Sequence, residues 1–167
     1  TSGCTALVGG STAAGSITVG SETLSRSYAG PCYTAVSTSV SAGILPSDTK
    51  SMGVLLVVRG NDNVTSEMHG FTDSTCTTKN YHMNTKYDNV VIGSAFGSNY
   101  QVTHTLVSIN VLANTTPAQS FMSDLYSQTV VLETEKVVPY GLAFRGLWSL
   151  SGTAFQKGGG LVLILHL

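Results

Sequence analysis

Four histidines, His69, His82, His104 and His166, are the first places to look for chemistry in this chain, because an imidazole can ligate a metal or move a proton near neutral pH. Their spacing supports neither role. No pair shows the i, i+4 or alternating-strand spacing that puts two imidazoles on one ion, and His166 inside "LVLILHL" reads as a hydrogen-bonded structural residue or one pointing to solvent from the other face. Glu133 and Glu135 would share a face of an extended segment, a spacing compatible with a glycosidase pair. Catalytic carboxylates usually come from separate elements facing a cleft, so a solvated strand face is the simpler reading. Asp62, between Asn61 and Asn63, has the chemistry of a turn residue. The motifs G-x-S-x-G, G-x-x-x-x-G-K-[ST] and H-E-x-x-H are absent, and "GGSTAAG", Gly9 to Gly15, lacks the lysine of a phosphate loop. The sequence is therefore expected to carry no catalytic residue, no metal and no cofactor, and not to be an enzyme.

Binding chemistry is better represented. "KNYHMNTKY" concentrates two lysines, two tyrosines, a histidine and two asparagines in a chain otherwise poor in charge. Read as a loop, its residues Lys79, Tyr81, His82, Asn84 and Lys86 could take an acidic sugar. A lysine would meet the carboxylate, Asn would serve hydroxyls as donor and acceptor, and a tyrosine ring would cover an apolar sugar face. The simpler alternative is a hydrated loop with Tyr81 and Tyr87 tucked against the core. Three cysteines, Cys4, Cys32 and Cys76, cannot all pair, and they lack zinc spacing. Buried free thiols are expected, with Cys4–Cys32 as the disulfide alternative. Two sequons stand at Asn63-Val64-Thr65 and Asn114-Thr115-Thr116.

The elements that must position these residues read as strands. Candidates are Cys4–Val8, Ser16–Val19, Tyr33–Ser41, Met52–Arg59, Tyr87–Ile92, Val102–Ala113, Thr129–Leu132, Gly141–Leu150 and Leu161–Leu167. "AGPC", "LPSD", "GNDN", "GSN", "NTTPAQS" and "QKGGG" carry turn residues and read as loops. "HTLVSINVLA" alternates, so one of its faces meets a core. Asn61 to Lys86 reads as an unusually long connection, and long ordered loops are often functional. With no crossover helices in view, the expectation is an all-β, antiparallel β-sandwich of about eight to nine strands with almost no helix. Trp148, on a strand rich in Leu and Phe, is expected in the core or an interface.

The 167 residues suffice for one domain, 1–167, burying roughly 68–70% of its unfolded surface. Only 10% of residues are charged, against about 25% in ordinary soluble domains, and the net charge is −1. The basic residues are scattered, which argues against a nucleic-acid partner, and no run approaches the 18 or so apolar residues of a membrane helix. A chain 42% hydrophobic has more apolar side chains than a lone sandwich conveniently hides, so a homotrimer is expected.

The order of elements resembles the head, or knob, of an adenovirus fibre. "SMGVLLVVRGNDNVT", Ser51 to Thr65, is similar to a family strand that runs apolar and ends in an arginine before an Asp/Asn turn. "KNYHMNTKYDNVVIGSAFGSNY", "HTLVSINVLANTT" and "LAFRGLWSLSG" resemble the loop and strands that follow, and "LVLILHL" the closing strand. A distant, non-mammalian branch fits the resemblance, and a reovirus attachment head or a phage tail needle would share a similar strand order. The resemblance implies the C-terminal head of a longer fibre, a trimer at the virion surface, assembled in the host nucleus. It implies binding of a host-cell receptor, a sialylated glycan or a surface protein. It also implies a final strand lying in the middle of the sandwich. A pilin-type subunit of a bacterial fibre is the alternative, with Cys4 and Cys32 loosely fitting its disulfide.

Overall fold

The computed structural model describes residues 13–25, 27–97 and 99–149, together with the backbone of 163–166. The strands are β1 (Ile17–Val19), β2 (Glu22–Leu24), β3 (Ser27–Ala29), β4 (Ser51–Val58), β5 (Val64–Phe71), β6 (Lys79–Phe96), β7 (Asn99–Ala113), β8 (Lys136–Ser149) and β9 (Leu163–His166). Among the described residues two helices, α1 (Ser37–Ser41) and α2 (Thr116–Tyr126), interrupt them. Strands β1 and β2 form a small sheet, and β3 to β9 form a seven-stranded sheet in sequential order. All strand pairs are antiparallel. The fold is mostly β, with a small sheet against a large one, consistent with the expected sandwich.

Alternation decides which side chains go inward. On β4 Leu56 and Val58 point to one face, and the register carries that face through Val64, Tyr87 and Leu106. Further along the same face lie Val102 and Trp148. The small sheet closes over this half with Ile17, Val19 and Leu24, so that Trp148, only 1% exposed, is core as expected. Each fully buried Val or Leu here contributes about 1.5–3 kcal/mol. The turn that aligns the small sheet needs Gly20 at φ +59, and a Cβ there would strike the Tyr100 ring. The other half of the inner face, with Tyr81, Val111 and Ala113, is covered by Ala118 and Met122 of α2.

Several expectations are corrected. "NTTPAQS" is not a loop: Thr115 caps α2 by accepting from the Ala118 N–H at 3.4 Å, Pro117 fits the first turn, and Ser127 ends the helix at φ +50. The stretch 37–41, expected in a strand, is helical, because Val36 and Leu45 on either side of the turn supply the burial. The long connection Asn61 to Lys86 contains β5 and the start of β6, joined by a turn that the Asp73 carboxylate organises. That carboxylate accepts from the backbone and hydroxyls of Thr75 and Thr77 and from the Thr78 N–H, which holds it well below the usual carboxylate range.

The cysteine expectation is also overturned. Cys32 and Cys76 form a disulfide with a Cα–Cα distance of 5.9 Å. Tyr33 bridges to Met52 and the Ser51 hydroxyl donates to the Asp73 carbonyl at 2.6 Å, so both segments converge on the start of β4. The expected strand Cys4–Val8 lies outside the described residues. Strand β9 is not central among the described residues: there it pairs with β8 alone, at one end of the sheet order.

Candidate ligand-binding face

"KNYHMNTKY" is not a loop but the first half of β6, a strand between β5 and β7. Strand alternation therefore divides the expected site. Tyr81 points into the core at 0% exposure, and Tyr87 joins it at 7%, its phenol pushed up to about 12 by burial. His82, Asn84 and Lys86 lie together on the opposite face, which we call the second face. Lys79 is half-buried at the strand's first position, opposite Phe71.

The second face is a ladder of polar rows. Glu67, Asn84 and Asn110 are direct cross-strand neighbours, as are Thr65, Lys86 and Ser108. His69 and His82 form the next row, with ring centroids 5.6 Å apart. This end is deep: Thr65, Glu67 and His69 are 0% exposed, and Asn84, Ser108 and Asn110 are nearly so. Buried polar groups must bond one another. His69 Nε2 lies 3.2 Å from Glu67 Oε2, Ser108 donates to Asn110 Oδ1 at 3.2 Å, and Asn110 donates to Glu135 Oε1 at 2.8 Å. Burial lowers the pKa of His82 below the ordinary imidazole value, with His69 and Lys79 adding to the effect against Glu135 and Glu67. Among the described residues no group of three or more His, Cys, Asp or Glu side chains has the arrangement to hold a metal ion.

The same face opens towards the far ends of β6 and β7. There the register shifts between Asp88 and Val91, and Asn89 takes φ +53 in the bulge. A depression of about 360 Å³ results, lined by Asn89, Thr103, Thr105 and Arg145, with His104 and Phe144 beside them. Asn89 donates to the Thr105 hydroxyl at 3.5 Å, the long end of a hydrogen bond. The two described arginines differ in kind. Arg59 is locked to Asp88 at 3.1 Å, and Asn63 of the first sequon donates to the same carboxylate at 2.7 Å. Arg145 makes no ion pair among the described residues and is exposed at the rim.

Sequence reasoning missed this depression because its residues come from three strands and share no local pattern. It also missed the Glu67–His69 pair, although polar residues at every second position of "VTSEMHGF" were a usable signal for a polar strand face. No protein-family model matches the chain, and no curated protein matches it.

Proposed function

We propose that the chain is a receptor-binding head that acts as a homotrimer on a virion surface and holds a host-cell receptor, a sialylated glycan or a surface protein. The observation that carries the ligand half of this reading is the depression at Arg145. It offers an uncommitted guanidinium fork for a carboxylate, with hydroxyls and a carboxamide beside it for sugar hydroxyls. Lys86, on the same face, adds positive charge. At about 360 Å³ the depression is at the small end of ligand sites, suited to one terminal sugar.

The oligomer half rests on the apolar side chains of β8. Val137, Leu142 and Phe144 are 50%, 52% and 36% exposed, an exposure that self-association would relieve. Three copies would raise avidity where each site binds weakly, roughly millimolar at about −4 kcal/mol. The Cys32–Cys76 disulfide suits a particle exterior, where thiols stay oxidised. The pilin-type alternative loses its Cys4–Cys32 support, because Cys32 is paired elsewhere.

The test is a glycan array probed with multivalent head, beside light scattering of the free protein. Sialylated hits that vanish with Arg145→Gln, and a mass about three times 17.4 kDa, are the expected results. A hit unchanged by Arg145→Gln moves the site elsewhere, a blank array favours a protein receptor, and a strict monomer removes the trimeric head.

A further inference from the structure

The deep end of the second face contains a second device, independent of any ligand. Glu67 and His69 are both 0% exposed, and a hydrogen-bonded carboxylate–imidazole pair at that depth is costly to bury. His82 stands beside them in the next strand, half-buried, its ring tilted 48° to that of His69. Among the described residues, His69 Nδ1 and His82 Nε2 have no hydrogen-bond partner. The cluster therefore offers two ring nitrogens at which a proton can sit.

The surroundings decide what an added proton would meet. From β5 come His69 and Glu67; from its own strand His82 has Lys79, with Lys86 further along the same face; ahead of β8 stands Glu135. Strand β7 brings Leu112 and Asn110, and β4 places Gly53 and Leu55 against His69 and Glu67, none of which titrates. Of the two carboxylates, Glu67 is held by His69 and Glu135 by Asn110. A cation on His82 would be disfavoured first by its burial and would face a second imidazole and a lysine, against the two carboxylates.

This row also lies beside a break in the ladder. One residue beyond His69↔His82 the β5–β6 register shifts, between Gly70 and Phe71. A bulge leaves a ladder locally unpaired, so opening can start there. We infer that His82, His69 and Glu67 form a proton-operated latch, in which acidification charges His82 and loosens the β5–β6 seam at its bulged end. The sign follows from linkage. Burial depresses the folded-state pKa of His82, so the opened strand binds the proton more readily, and opening becomes easier as pH falls through the ordinary imidazole value, about 6.5. The Cys32–Cys76 bridge tethers the adjoining turn and confines the opening to the seam.

Amide hydrogen exchange on the full chain, at about pH 7.5 and about pH 5.5 and corrected for intrinsic rates, tests the latch. The amides of 67–71 and 80–84 should exchange faster at the lower pH, by up to about tenfold, the most that one proton can give across one pH unit below the ordinary imidazole value. His82→Gln should abolish that acceleration. Acceleration that persists in His82→Gln, or none in the unaltered protein, overturns the latch. Should His82→Gln fail to fold, Glu135→Gln serves: it removes a carboxylate that favours the charged imidazole in the folded strand, so opening must go on easing to lower pH than in the unaltered protein, and an unchanged pH dependence counts against the proposal.

Discussion

The two ends of the second face are built from similar side chains and do opposite work. At the deep end Glu67, His69, Asn84 and Asn110 are closed off from water, with Glu67 paired to His69 and Asn110 bonded to Ser108 and Glu135. At the open end Asn89, Thr103, Thr105 and Arg145 make one long hydrogen bond among them and stay available. The lesson is that polar residues on a strand become structure or site according to solvent access. A buried donor without a partner costs about 1–3 kcal/mol, so burial forces internal pairing, while exposure leaves water as the stand-in for a ligand.

If that contrast is right, the largest stability effect belongs to the deep end. Glu67→Ala should cost about 3–5 kcal/mol in chemical denaturation, because it strands a buried imidazole. Replacing both partners, as Glu67→Met with His69→Leu, should recover most of the loss. A double variant as unstable as the single one would show that the pair does more than satisfy itself.

Next in size is the disulfide. Cys32→Ser should cost about 2–4 kcal/mol and act on the deep end, since the bridge spans 44 residues and ties down the turn between β5 and β6. Hydrogen exchange should rise in β5 and early β6 and stay unchanged around Arg145. A uniform rise would break the separation of the two ends.

Asn110→Ala should cost about 1–3 kcal/mol, because Ser108 and Glu135 both lose their partner. The cost should be read from thermal unfolding. At the open end Arg145→Gln should change stability by less than about 0.5 kcal/mol, as surface substitutions do, while removing glycan binding. A loss of stability comparable to that of Asn110→Ala would place Arg145 with the structural residues instead.

The sequence was legible where one signal dominated. The apolar run "SMGVLLVV" and the alternation of "HTLVSINVLA" fall in β4 and β7, and Trp148 sits in the core. It was misleading where polar residues line a buried strand face. "VTSEMHGF" and "KNYHMNTK" look like a hydrated loop because Thr65, Glu67, His69 and Asn84 are the types expected in water, yet all four are buried. The helix α2 was readable in principle from Thr115 and Pro117, but its apolar residues Ala118, Phe121, Met122, Leu125 and Tyr126 do not stand out beside the strands.

By itself the sequence determined the β character, the low charge and the positions of many turns, because these depend on side-chain branching, composition and the φ preferences of Gly, Asn and Asp within a few residues. It could not determine that Cys32 meets Cys76, that His82 stands against His69, or that Asn89, Thr103, Thr105 and Arg145 line one depression. Those are matters of strand register and of which segments converge on the start of β4. Register is set by the summed fit of whole strands against one another, and a slip of one residue would send every side chain to the opposite face. Only the folded sheet decides that.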